Sequence, residues 1–295
     1  MEVGALARRF TRQTNFLARL REMAAGLPKA ERGVARAILQ DPEAVLSLSI
    51  SELAQRSQVA DATVVRMARR LGLSGYQELK ILVAADRGDM DDGGDGPAGP
   101  APAGADLPAS VSRVVAQSVA SLKATQTLVD AQAVARVAER LDRAPLVAIY
   151  GVGTSALAAK YLAYRLTRMG VVAHFHDDAH YQAMSTVLMG EACAAVAFSQ
   201  SGSTYSVVEA LSAARGVGAF TVAVTRYRHA PLSAAADVLL ITGAEETPLL
   251  SGALPGLVSQ LCIADLLAVS TGGLRPDRAR EALRQSAERV ADMKF

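Results

Sequence analysis

Tryptophan is absent from this 295-residue chain, and aromatic residues make up 4% of it. Stacking of unpaired bases on aromatic platforms therefore has little material to work with. Cysteine is nearly absent too: Cys193 and Cys262 sit in apolar runs without a Cys-x-x-Cys partner, which reads as two buried thiols in a reducing compartment, not a disulfide or a metal site. The Gly-x-x-x-x-Gly-Lys-Ser/Thr pattern of nucleotide hydrolases is missing. Arg8 and Arg9 are not followed by an apolar signal segment, and the longest apolar stretches are interrupted by Glu191 or Asp265. The expectation is a cytoplasmic protein without a membrane partner. What is present suffices for a sizeable core: 51% of residues are hydrophobic against 20% charged, and the length predicts about two domains.

The net charge of +2 is unevenly spread. Residues 1–87 carry 14 Lys/Arg against 9 Asp/Glu, whereas residues 88–110 carry 5 Asp and no base. A basic front end points to a polyanionic partner. Residues 88–110, rich in Gly and Pro and without aromatics, cannot build a core and read as a flexible linker. The expected division is thus a domain at 1–87, a linker at 88–110 and a second domain at 111–295.

The first domain reads as all helical. Helices over 15–25 and 29–40 are separated at Gly26-Leu27-Pro28, and Asp41-Pro42 closes the second. Ser49-Ile50-Ser51-Glu52 has capping-box spacing and opens a short helix. After Ser57-Gln58-Val59-Ala60, Asp61 is placed to cap a helix over 62–71 that stops at Gly72. Two short helices joined by a tight turn make a helix-turn-helix. At 100° per residue, Val64, Met67, Ala68 and Leu71 share one side of the last helix, while Ala62, Thr63, Arg66, Arg69 and Arg70 share the other. Three Arg and a Thr suit phosphate contacts and guanine reading in a major groove, with Ser49 nearby. The same spacing also fits a solvated basic face on a small bundle.

The second domain alternates short apolar strands, at 146–150, 171–176, 192–198, 220–224 and 238–242, with helical segments. Further helices are expected over 111–129 and 131–141, and over 254–270 and 276–293 around Arg275-Pro276. Continuous apolar strands between helices imply a parallel sheet covered on both faces. Two loops stand out. Gly151-Val152-Gly153-Thr154-Ser155 follows the first strand, and Ser199-Gln200-Ser201-Gly202-Ser203-Thr204 follows the third. If the strand order is flavodoxin-like, 2-1-3-4-5, these loops flank the reversal point where open sheets bind ligands. Each precedes a helix whose first N–H groups stabilise an anion, and neutral hydroxyl donors suit reversible binding of a phosphate ester.

Leu27 to Ala84, above all Ala62-Thr63-Val64-Val65-Arg66, Leu71-Gly72 and Gly75-Tyr76-Gln77-Glu78-Leu79-Lys80, resembles the N-terminal domain of the RpiR/MurR family of bacterial transcriptional regulators. Asp61 departs from the Ser usual there and places a negative charge where DNA phosphate would approach. Residues 111–290, through Gly-x-Gly-Thr-Ser and Ser-Gln-Ser-Gly-x-Thr, resemble the sugar isomerase (SIS) domain, a phosphosugar-binding module. The resemblance implies that Ser199, Gln200, Ser201 and Thr204 hold a phosphate, with Gly153, Thr154, Ser155 and Gly202 shaping its site. It also implies operator DNA, a phosphorylated-sugar effector and a homodimer or homotetramer as partners. The implied function is regulation, as a repressor, of sugar or amino-sugar genes, with no cofactor and no catalytic residue.

Two competing readings remain. Asp177 lies 24 residues after Gly153, where a dinucleotide site would place a ribose-binding acid. The hydroxyl-rich second loop has no role in that scheme. An isomerase would need a base beside a sugar carbonyl, for which His174, His176, His180, Glu209, Glu245 and Glu246 are available.

Overall fold

The computed structural model describes residues 16–86, 107–243 and 254–291. The chain divides into two compact units near residue 114. In the first, α1 (Phe16–Met23), α2 (Lys29–Gln40), α3 (Pro42–Ser47), α4 (Ile50–Arg56), α5 (Asp61–Arg70) and α6 (Tyr76–Asp86) surround one apolar cluster that includes Leu20, Ile38, Leu53, Met67 and Leu79. The Gly26-Leu27-Pro28 break stands, with Pro28 as the N-cap of α2. The capping box also stands: the Ser49 hydroxyl accepts from Glu52 N at 3.1 Å, and the Glu52 carboxylate accepts from Ser49 N at 2.7 Å. At the far end of the unit, the Asp86 carboxylate accepts the Phe16 and Leu17 amides at 2.9 and 2.8 Å, satisfying two orphan donors of α1. The expectations had no helix for 42–47 or 76–86; α3 is only six residues long, and α6 has a lysine, Lys80, on its buried face and Ile81 and Leu82 on the other side, which blurs its apolar period.

The second unit contains α7 (Leu107–Leu128) from Val115 onward, α8 (Ala131–Arg143), β1 (Val147–Gly151), α9 (Thr154–Arg168), β2 (Ala173–His176), α10 (Ala179–Ser185), β3 (Ala194–Phe198), α11 (Tyr205–Gly216), β4 (Phe220–Thr225), α12 (Pro231–Ala234), β5 (Val238–Ile241), α13 (Leu254–Leu274) and α14 (Pro276–Ala291). All four strand pairings are parallel, and the order is β2-β1-β3-β4-β5, the flavodoxin-like order expected. The two sheet faces differ in size. Val147, Ile149, Val196, Phe198, Val222, Val224 and Leu240 face the cluster shared with α8, α9 and α13. Ala148, Ala195, Ala197 and Ala223 face the other way, where α11 brings Val207, Ala210, Leu211 and Ala214 against them. Small side chains there make a thin layer, with Tyr150 its one large buried strand residue.

Two expectations need correction here. Residues 88–106 of the expected linker lie outside the described residues, but residues 107–110 form the first turn of α7, where Pro108 costs no helical hydrogen bond. Cys262 is exposed on α13, although Cys193 is buried; the apolar context of Cys262 comes from neighbours on the buried side of the same helix. Burial of part of its surface and Asp265 nonetheless push its thiol pKa up. Helix α13 is long and apolar enough to cross a membrane, yet Ile263, Ala264, Leu267 and Ala268 are fully buried in the core.

One backbone feature of the first unit is testable. Gln58, in the turn between α4 and α5, has φ of 56°, the left-handed region that a side chain with a Cβ disfavours. Gln58→Gly is expected to raise stability by up to about 1 kcal/mol, the relief of strain outweighing the extra freedom of the unfolded chain. Urea denaturation measures it, and a loss of stability would contradict the strain.

Candidate functional site

The helix-turn-helix is built from α4 and α5. Val64, Met67 and Ala68 are fully buried, so the apolar side of α5 docks as the periodicity predicts. The opposite side is narrower than expected. Thr63 is 4% exposed, and its hydroxyl accepts from the Arg66 guanidinium at 2.8 Å. Arg70 is committed to a carboxylate within its own unit: Nε and Nη2 donate to the two oxygens of buried Glu31 at 2.6 and 3.2 Å. That pairing raises the Arg70 pKa and satisfies an acid that α2 buries. Ser49 is 2% exposed and spent on its cap. Ala62, Arg66, Arg69 and Arg70 are exposed, Arg70 while still holding Glu31.

Asp61 does not cap α5 with its side chain; Ala60 occupies the N-cap position. Its carboxylate instead accepts the Ser51 hydroxyl at 2.5 Å, tying the start of α5 to α4. A carboxylate in the first turn still suits the helix dipole.

The second candidate site lies at the carboxyl ends of β1 and β3. These strands are adjacent, with Gly151 opposite Phe198, so the loops that follow them leave side by side. Gly153, with φ of 58°, is the N-cap of α9, and Thr204 is the N-cap of α11; neither makes a side-chain cap hydrogen bond. The Thr204 hydroxyl instead lies 3.0 Å from the Ser199 hydroxyl across the loop. Two helix N-termini without side-chain caps thus converge on one crevice, which favours an anion.

The Ser199–Thr204 loop is tightly held. Gly202 N donates to Ser199 O at 3.0 Å, and the Ser201 hydroxyl accepts from Ser203 N and Ser203 Oγ at 3.3 and 3.1 Å. Gly202 takes φ of 62°, and a Cβ there would stand 2.5 Å from Ala230 Cβ and 2.9 Å from Thr225 Oγ1. Gln200 O accepts Thr225 Oγ1 and Arg226 N, both at 3.2 Å. The Gln200 side chain turns away from the loop: Oε1 accepts Thr242 Oγ1 at 3.3 Å, and the amide packs on Gly256 with Nε2 buried and unpartnered. Across the crevice, buried Ser155 accepts a hydrogen bond from Gln260 Nε2 at 3.1 Å, leaving the hydroxyl proton free to donate elsewhere. Behind the first loop, buried Gln182 donates to Gly151 O at 3.2 Å and to His176 O at 2.8 Å. Thr225, Thr242, Gln182 and Gln260 escaped the sequence reading because each comes from a distant element with no motif of its own.

The candidate bases are dispersed. His176 is buried, stacked edge-on against Tyr181 at 4.4 Å; burial first, then His174, lowers its pKa, with Asp177 opposing. His174, His180, Glu209 and Asp177 are exposed. Glu245 and Glu246 lie outside the described residues. No group of His, Cys, Asp and Glu suited to a metal occurs among the described residues.

Residues 14–88 match the helix-turn-helix domain of the rpiR family, and residues 141–270 match the SIS domain. A transcriptional regulator of Caldanaerobacter subterraneus is 30% identical over 259 residues, covering 87% of this chain and 90% of its own length. The chain belongs to the rpiR family of helix-turn-helix transcriptional regulators. The HexR regulator of Pseudomonas aeruginosa is 30% identical, covering 86% of this chain and 88% of its own length. Among solved structures, Vibrio vulnificus NanR complexed with ManNAc-6P is 32% identical with a TM-score of 0.79, covering 95% of this chain and 99% of NanR. This rpiR-family chain therefore joins a helix-turn-helix domain to a five-stranded SIS domain, as its motifs imply.

The closeness of the Gly202 backbone to β4 predicts a large, local effect. Gly202→Ala is expected to cost about 2–4 kcal/mol through a left-handed φ and a steric clash, whereas Gly190→Ala, with nothing within 4 Å of its new Cβ, changes stability by less than about 0.5 kcal/mol. Equal effects in urea denaturation would contradict the close approach.

Proposed function

We propose that this regulator represses sugar or amino-sugar genes and responds to a phosphorylated sugar bound at the carboxyl ends of β1 and β3. The observation that carries the proposal is the pair of uncapped helix N-termini, α9 and α11, converging beside the hydroxyls of Thr154, Ser155, Ser199, Ser201 and Thr204. Such a site offers N–H and O–H donors to a phosphate without a catalytic cation. Gly153 and Gly202 supply the backbone turns, and Gln200 shapes the loop from behind through Thr242 and Gly256. The likeness to NanR complexed with ManNAc-6P supports a sugar phosphate as the ligand.

The reading is of a sensor, not an enzyme. His176 is buried against Tyr181 with its pKa lowered by that burial, and Glu209 faces solvent on α11, arrangements that support binding without turnover. A sensor that consumed its signal would reset its own switch. DNA contact is assigned to Arg66 and Arg69 on α5, with Thr63 and Glu31 orienting Arg66 and Arg70 from within the fold. Two recognition helices are needed for two half-sites about 34–36 Å apart, so a homodimer or homotetramer in the cytoplasm is the working assembly. Exposed Val187, Leu188 and Tyr205 in the second unit are apolar surface of the kind that assembly covers.

Operator affinity, measured by fluorescence anisotropy on a fragment selected from random DNA, tests the two halves separately. Arg66→Ala is expected to weaken operator binding by about 1–3 kcal/mol while leaving sugar-phosphate binding intact. Ser201→Ala is expected to abolish the response to sugar phosphate without changing affinity for DNA in its absence. An unchanged operator affinity in the first variant, or an unchanged response in the second, would overturn the corresponding assignment.

A further inference from the structure

Helix α7 is held by polar groups. Across its 22 residues only Ser121 and Thr125 are buried, while Val111, Val115 and Val119 stand exposed. The Ser121 hydroxyl donates to Pro255 O at 2.8 Å and lies 2.5 Å from the Ser259 hydroxyl. The Thr125 hydroxyl accepts Gly243 N at 2.9 Å. The helix backbone also comes so close to Gly243 that a Cβ there would stand 2.4 Å from the Ala124 carbonyl carbon.

Each of these three anchor points adjoins a residue that holds the phosphate loops. Gly243 follows Thr242, whose hydroxyl donates to Gln200. Pro255 precedes Gly256, against which the Gln200 amide packs. Ser259 precedes Gln260, which donates to Ser155. The two loops and α7 therefore contact adjacent residues of the same short stretches of chain. Gln200 Nε2 is buried here without a hydrogen-bond partner. A docking made of hydrogen bonds, each of small net value because water replaces it, costs less to shift than one made of buried apolar area.

We propose that α7 reads the occupancy of the loops: an anion that draws in Ser155 and the Ser199–Thr204 loop shifts Thr242, Gly256 and Gln260, and with them the hydrogen bonds that dock Ser121 and Thr125. This rests on the sugar-phosphate reading of the site. Helix α7 is the first described element after the helix-turn-helix unit in the sequence, so the chain from the DNA-binding domain enters the SIS domain through it. Coupling between ligand and docking is reciprocal.

Hydrogen exchange on the full chain tests this, with inorganic phosphate and with ManNAc-6P as probes. Protection of residues 153–157 and 199–206 by either probe, together with an exchange rate changed at least about threefold over residues 118–128, is the expected result. Protection of the loops alone would overturn the coupling and leave the binding site standing. No protection of the loops by either probe would count against the site itself. In that case the ligand-free variant Gln200→Ala decides the coupling, since it is expected to change exchange over 118–128 and an unchanged rate there overturns the proposal. Gly243→Ala, which forces α7 away, is expected to speed exchange over 118–128 while α11 is unaffected, and to weaken the binding of whichever probe protects the loops. If that variant does not fold, Thr125→Val removes the acceptor with little change in shape and carries the same expectations.

Discussion

The parallel pairing of β1 with β3 is the constraint on which the second unit depends. Because Gly151 lies opposite Phe198, both strands end at one level, and the chain must turn into a helix twice within one strand spacing, about 4.8 Å. Two macrodipoles then point their positive ends at the same place. Capping either helix with its own side chain would quench that field. The loops avoid this by placing glycine at one N-cap and by diverting the Thr204 hydroxyl to Ser199 at the other. Everything behind the loops, from Thr225 and Thr242 to Gln182 and Gln260, holds backbone and side chains in this uncapped state.

The first unit manages charge differently. Its recognition helix carries arginines on a short exposed strip, and one of them, Arg70, pairs with Glu31, an acid that α2 buries, while staying half exposed itself. Asp61, which would repel DNA, is turned toward the Ser51 hydroxyl and so contributes to joining α4 and α5. Arg66 and Arg69 keep the outward face.

The architecture was readable because its signals are local. Strand length, alternation with helices and the two glycine-containing loops each occupy a few consecutive residues, and parallel strands buried on both faces read as unbroken apolar runs. The capping box at Ser49 is a four-residue pattern and was equally plain. The failures share the opposite character. The pairing of Arg70 with Glu31 spans 39 positions, and nothing near either residue announces it. Thr63 stands at the edge of the arc formed by Val64, Met67, Ala68 and Leu71, and whether such an edge position is covered depends on the neighbouring helices, which a wheel does not show. Cys262 erred the same way in reverse, an apolar neighbourhood in sequence being taken for burial in space. Gln260, 105 positions from Ser155, could not be found without the fold.

The central claim is that the crevice between these loops binds a phosphorylated sugar. Thermal shift of the purified full chain against phosphorylated sugars and amino sugars, with their unphosphorylated forms and NAD as controls, tests it most directly. Ligand at about a hundredfold excess over Kd stabilises the native state by roughly 2.7 kcal/mol, a visible rise in Tm. The account predicts a rise confined to one or a few phosphate esters. A rise with NAD, or with an unphosphorylated sugar equally well, would contradict it.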